Sequence, residues 1–142
     1  MDISYKDDIV DLHDEHLLGF FEGWPAHPDP AAHLKVLRGS HACWLAMDGD
    51  RCVGFVNAIS DGVFYAHVPL HEVLPEYRGM GIGKELVRRM LETLGGMYAI
   101  DVVCHESVVP FYESLGLSRC VAMARRNYAR QSGAGEAGRV DR

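Results

Sequence analysis

"PEYRGMGIGKELVRRM", residues 75–90, sets three glycines at alternate positions, Gly79, Gly81 and Gly83, directly ahead of a stretch with helical spacing. From Ile82 onward Leu86, Val87, Met90, Leu91 and Leu94 line one face and Lys84, Arg88, Arg89 and Glu92 the other, until Gly95-Gly96 ends the helix. Val73-Leu74-Pro75 closes an extended run just before the turn. A strand, a glycine turn and a helix N-terminus in that order make an anion site, because unpaired main-chain N–H groups and the positive helix end converge there. Spacing then excludes two familiar users. The dinucleotide fingerprint G-x-G-x-x-G meets Lys84 when counted from Gly79 and Leu86 when counted from Gly81. The NTPase loop would need glycine at Arg78 and a hydroxyl at Glu85.

Working outward, the apolar residues Leu12, Leu17, Phe20, Phe21 and Trp24 predict a first helix ending at Pro25. A short strand at Ile3–Tyr5 precedes it. Asp29 as N-cap and Pro30 at the first helical position predict a second helix ending near Gly39. Apolar runs on either side of Asp48-Gly49-Asp50 read as a hairpin, and residues 63–74 as a fourth strand in which Pro69 calls for a bulge or a splayed partner. Residues 97–104, "MYAIDVVC", suit a strand buried on both faces. "SVVPFYESLG" reads as a short helix, "RCVAMARRNY" as a last strand, and residues 129–142 as a disordered tail after a domain spanning 1–128. The fold class is α/β.

At 142 residues, 48% hydrophobic and 24% charged, the chain has the make-up of one soluble domain, with no apolar run near the roughly 20 residues of a membrane helix. The acidic start "MDISYKDDIVDLHDEH" lacks the pattern of a secretion signal, so the expected location is cytoplasmic. Cys43, Cys52, Cys104 and Cys120 form no close pair, which argues for reduced, mostly core thiols. A net charge of -6 disfavours nucleic acid and leans toward cationic partners.

Arg78-x-x-Gly81-x-Gly83 after a strand, followed about thirty residues on by "PFYESLG" (110–116), resembles the GCN5-related N-acetyltransferase (GNAT) superfamily. The resemblance covers nearly all of the ordered chain. It implies a mixed, mostly antiparallel twisted sheet with central splayed strands and helices on both faces. It also implies acetyl-CoA as co-substrate, without a metal. Its pyrophosphate would lie on Gly79, Met80, Gly81, Ile82, Gly83 and Lys84, its arm along Val73 and Leu74, and Arg78 would answer the phosphate charge ahead of Lys84 and Arg88, which could equally be the solvated helix face. Tyr112 takes the family's role of general acid toward the departing thiolate; judged by spacing alone it could equally be a half-buried core tyrosine.

The base is open. His67 and His71 share a face with Val73 by alternation, and Glu72 points the other way unless a bulge shifts the register. His67 comes first, Glu72 second. A reading of His67 and His71 as metal ligands lacks a third ligand. His105 stands where many relatives carry an asparagine that binds the arm. Asp101, inside an apolar strand, either anchors structure or orients an acceptor amine. The acceptor is a primary amine of a small molecule or a protein, approached over "GFFEGWPAHPDP", where Phe20, Phe21 or Trp24 could line the cleft. Monomer and homodimer both stay open. The rival reading is a non-catalytic acyl-CoA-binding module, which would not need Tyr112.

Overall fold

The structure, a computed structural model, describes residues 2–134. Asp48-Gly49-Asp50 turns the chain as the sequence predicts: β2 (Ala42–Asp48) and β3 (Arg51–Ser60) form an antiparallel hairpin, with Gly49 at φ 60°. β1 (Ile3–Lys6) adds antiparallel to the other edge of β2. Residues 52–58 of β3 are buried without a break, so the strand does not alternate between core and solvent, and Asn57 is the polar side chain within that run.

β3 serves two neighbours along its length. Gly54–Val56 pair with β5 (His71–Val73), while Ile59 and Ser60 pair with β4 (Tyr65–His67), both antiparallel. β4 pairs in parallel with β6 (Ala99–Asp101), His67 opposite Asp101. The order is β1-β2-β3-β4-β6, with β5 on β3.

The single strand expected over 63–74 is therefore two, and the break falls at Pro69, which has no N–H to give to a ladder. Asn57 spans the gap. Its main-chain N–H donates to the Leu70 carbonyl at 3.1 Å, and its side-chain Oδ1 accepts the Leu70 N–H at 3.1 Å. Its Nδ2 donates to Ser40 Oγ at 3.0 Å, so a buried amide has both ends matched.

Helices cover both faces. α2 (Ile82–Thr93) buries Ile82, Leu86, Val87 and Met90, and packs so closely that a Cβ on Gly54 would lie 3.0 Å from Leu86 Cδ1. α1 (Pro30–Gly39) starts as expected, with the Asp29 carboxylate accepting from Ala32 N at 2.8 Å, and turns His33, Leu34 and Leu37 inward. Alternation along β3 puts Gly54 under α2 and Phe55 under α1, where Phe55 meets His33 at a centroid distance of 4.3 Å. A 3-10 turn (Glu106–Val108) leads into the short α3 (Val109–Glu113).

Two predicted elements do not form. Over the expected first helix only Asp14–Leu17 make a 3-10 turn, because Gly19, Phe21 and Gly23 take φ 98°, 64° and 93°, outside any right-handed helix. The apolar spacing there instead plugs the core: Leu12, Leu17, Phe20 and Phe21 are buried, the two phenylalanines ringing His33. The expected last strand over 119–128 joins no sheet, and Val121 and Met123 stand 96% and 97% exposed. Of the expected tail, Gln131 Oε1 accepts from Ala26 N at 3.3 Å, and residues 135–142 lie outside the described residues.

The core reading of the cysteines holds for two only. Burial raises the thiol pKa of Cys43 to about 11 and of Cys52 to about 12, whereas Cys104 and Cys120 are exposed. No helix among the described residues is long and apolar enough to cross a membrane.

Asn57→Leu keeps the volume but leaves the Leu70 N–H and Ser40 hydroxyl without their partners. Denaturant titration should show a loss of about 1–3 kcal/mol. A midpoint equal to that of the parent chain would show that the amide does not hold the break.

Candidate functional site

Three consequences of sequence meet at the start of α2. Gly81 is its N-cap at φ 81° with no side-chain cap, and the first helical bond, Glu85 N to Gly81 O, spans 3.1 Å. The N–H groups of Ile82, Gly83 and Lys84 therefore leave the helix end without an intrahelical acceptor. Gly83 answers a different need: a Cβ there would sit 3.3 Å from His71 Nε2 and 3.6 Å from Val73 Cγ2, so its absence lets α2 rest against β5.

The cations divide. Arg78 Nε donates to Val73 O at 2.9 Å, tying the strand end to the turn. Lys84 enters no ion pair among the described residues. Arg88, expected as a phosphate candidate, is engaged on the exposed face by Glu85 at 2.7 Å and Glu92 at 3.1 Å. That pairing fits the solvated-face reading of Arg88 and draws the Glu85 carboxyl down to about 2.

β5 has an open edge. Leu74 N donates to Val53 O at 2.8 Å and Asn57 N to Leu70 O at 3.1 Å, so residues 70, 72 and 74 face β3 and the main-chain groups of His71 and Val73 point away from it. Beyond that edge lies a cleft of about 420 Å³ between Val68, Pro69 and His71 on one side and Val102, Val103 and Cys104 on the other. Its origin is the break: β4 stays paired to β6 up to Asp101, whose carbonyl accepts from Val68 N at 3.0 Å, and past that point the strands part.

Phe111 and Tyr112 close the cleft from α3. The Tyr112 hydroxyl lies 3.4 Å from His71 Nδ1, and Phe111 stacks on the same imidazole at 5.8 Å. Burial holds His71 to a pKa of about 4, so near neutral pH the ring is uncharged and Nδ1 can accept a hydrogen bond from the phenol. Burial, and then the neighbouring Cys104, push the Tyr112 phenol above its ordinary value. His105 caps the turn before α3, its Nδ1 accepting from Ser107 N at 3.1 Å.

His67 and Glu72 do not join that pair. The break separates His67 from His71, and the His67 imidazole bonds Asp101 on β6. Glu72 points to the opposite face, where both carboxylate oxygens accept from Phe21 N at 3.1 Å and pin that residue's left-handed backbone. Burial raises its carboxyl above the usual range. The loop it holds walls a hollow of about 590 Å³ lined by Phe20, Phe21, Trp24 and His33, of which Trp24 alone among the three large aromatic residues is exposed, at 36%. The closeness of His71 to Tyr112, forty-one residues apart on different elements, leaves no signal in the sequence.

A sequence model of the acetyltransferase (GNAT) family matches residues 9–117. A solved structure of a presumed acetyltransferase from Deinococcus radiodurans R1 is 43% identical and superposes with a TM-score of 0.91 over 95% of each chain. Among curated proteins, the histone acetyltransferase TAP1 of Glycine max is 31% identical over 75% of this chain and 52% of its own length. The N-alpha-acetyltransferase RimI of Mycobacterium tuberculosis is 32% identical over 78% of this chain and 70% of its own. The chain spans about half the length of the plant relatives it matches.

His33 and His71 both sit in the fold with pKa values of about 4 against an ordinary 6.5. Between those limits the unfolded chain binds protons that the folded chain refuses, so stability is lost as pH falls from about 6.5 through 4. Each residue contributes on the order of 2–3 kcal/mol to that loss. Thermal melts should fall across this window, and His33→Leu should flatten the slope; an unchanged slope would remove His33 as its source.

Proposed function

Because the chain belongs to the acetyltransferase (GNAT) family, we propose that it is an acyltransferase, moving the acetyl group of acetyl-CoA directly onto a primary amine of a small molecule or a protein. The observation that carries this reading is the run of open main-chain groups from the α2 N-terminus along the free edge of β5 to a cleft walled by Tyr112. Such a run suits a donor with a pyrophosphate at one end and amide groups along an arm. Met80, Gly81, Ile82, Gly83 and Lys84 would hold the phosphates, with Gly79 shaping the turn and Arg78 beside it. Val73 and Leu74 would flank the arm.

The chemistry needs three things. The amine, with a pKa of about 10 when lysine-like, must lose a proton before it attacks. The carbonyl oxygen must be met by a donor as it becomes an oxyanion, a role that the His71 and Val73 N–H groups, which point away from β3, would serve. The departing thiolate must be protonated. Tyr112 suits this last task because burial keeps its phenol protonated and neutral His71 can orient the hydroxyl. His67 is the proposed base toward the acceptor. Glu72, its alternative by sequence, is occupied with Phe21.

The acidic chain, at -6, favours a cationic acceptor. The relatives' names cover histone and N-alpha acetylation, so protein amines belong in any test beside small ones. The decisive experiment is an amine and peptide panel with acetyl-CoA, following free thiol release. Silence over the whole panel would favour a non-catalytic acyl-CoA-binding module.

Tyr112→Phe should lower kcat by about 10²-fold or more with CoA affinity nearly unchanged. Full turnover in that variant would end the general-acid assignment. Gly81→Glu should abolish CoA binding by calorimetry, since it places a side chain and a negative charge in the turn at φ 81°; unchanged affinity would move the phosphate site elsewhere.

A further inference from the structure

Asp101 stands at the point where β4 and β6 part. It is the register partner of His67, the last pair of the parallel ladder, and its carbonyl takes the final main-chain bond, from Val68 N at 3.0 Å. Both of its carboxylate oxygens are committed. Oδ1 meets His67 Nδ1 and Oδ2 accepts from the Tyr65 hydroxyl. Tyr65 and His67 alternate along β4 and so present one face to it.

We propose that Asp101 is a positioning residue: it fixes the tautomer and orientation of His67 so that Nε2 is the atom that takes the acceptor amine's proton. This inference rests on the acetyltransfer reading above. It also assigns Asp101 one of the two roles the sequence leaves to it, because each carboxylate oxygen is turned to a neighbouring side chain of the protein itself, His67 or Tyr65.

The chemistry of the groups dictates the tautomer. An ionised carboxylate only accepts, so the imidazole nitrogen facing it must carry the hydrogen and the other must carry the lone pair. Burial alone would raise the Asp101 carboxyl, yet the bonds from Tyr65 and His67 outweigh it and bring its pKa below the ordinary value, so it is ionised at neutral pH. Tyr65 supplies the second restraint, and the same contact raises its phenol. The outer side of His67 is open: its side chain is 37% exposed, in contrast to His71, whose Nε2 is sealed under α2.

The proton account closes. Nε2 of His67 accepts one proton from the ammonium, and the freed nitrogen lone pair forms the bond to the thioester carbonyl carbon. As the carbon–sulfur bond breaks, Tyr112 gives its proton to the sulfur and is reprotonated by the proton the new amide nitrogen sheds. His67 then returns its proton to solvent. One ammonium and one thioester give one amide, one thiol and one proton. The titratable groups facing this arrangement are Tyr65 from β4, Asp101 from β6 and Cys120 from the chain beyond α3.

The test uses the full chain and an acceptor found by the panel. Asp101→Asn can turn an amide N–H toward Nδ1 and so force the ring hydrogen onto Nε2, the tautomer that cannot act as base. His67→Gln and Asp101→Asn should each lower kcat about 10- to 100-fold, with the KM for acetyl-CoA and CoA affinity by calorimetry unchanged. Asp101→Asn should also move the acidic limb of the kcat/KM profile to lower pH, since the imidazolium loses its anionic neighbour. Tyr65→Phe should give a smaller fall in kcat.

If His67→Gln keeps full activity, the base assignment fails while acetyl transfer itself stands. If His67→Gln is impaired but Asp101→Asn keeps the parent kcat and pH profile, the positioning role is overturned. It is overturned as well if Asp101→Asn lowers the melting temperature and CoA affinity together with kcat and leaves the pH profile in place, because that is the pattern of a strand tie.

Discussion

A proline in the middle of a sheet has to be accommodated, and most of what is distinctive in this molecule follows from how that is done at Pro69. With no N–H to give, it interrupts the ladder to β3, and the chain resumes pairing at His71 one register segment along. Asn57 makes the interruption stable by matching both main-chain groups of Leu70 from inside the core. The two halves then have different neighbours: β4 keeps β6 and β5 keeps only β3. A sheet that stayed zipped would have no cleft, and one that broke without an internal hydrogen-bonding residue would leave buried polar groups unmatched.

The parting also sorts the histidines. His71 lies on the segment that α2 covers, where Gly83 allows such close approach that the ring loses its charge. His67 lies on the segment that α2 does not reach and keeps both a carboxylate partner and an open side. Two residues four apart and of one type are thus given different surroundings by what packs on them. A neutral imidazole that steadies a phenol and a carboxylate-backed imidazole that faces solvent are not interchangeable, although the sequence presents them as a pair.

Sequence carried the local features well. The glycine turn, α2 with its end at Gly95, the capped start of α1 and the hairpin at Asp48-Gly49-Asp50 all rest on rules that act within a few residues. Where the outcome depended on distant partners, it was harder to read. Phe20 and Phe21 have the spacing of a helix face, but the backbone of Phe21 is set by Glu72, fifty-one residues away, and Gly19 and Gly23 release the chain from helical φ. Asn57 sits in an apolar run where a lone amide carries no periodic signal, and its purpose is visible only beside Leu70. For Arg88 the sequence left two readings, phosphate contact or solvated helix face, and the pairs with Glu85 and Glu92 at helical spacing belong to the second.

Proton traffic across the break has a directional logic that burial alone imposes. Tyr112 is buried enough for its phenol to hold its proton more firmly than in water, and the neutral His71 beside it, a far weaker base than a thiolate, does not strip it; in the proposed role the proton passes to the sulfur only as the carbon–sulfur bond breaks. Under the proposed roles, the proton taken from the amine has an exit through His67, whose side chain is 37% exposed, while the proton given to sulfur comes from Tyr112, which reaches the cleft from α3 and is steadied by buried His71. The break at Pro69 lets one strand supply both histidines, the open one before it and the buried one after it.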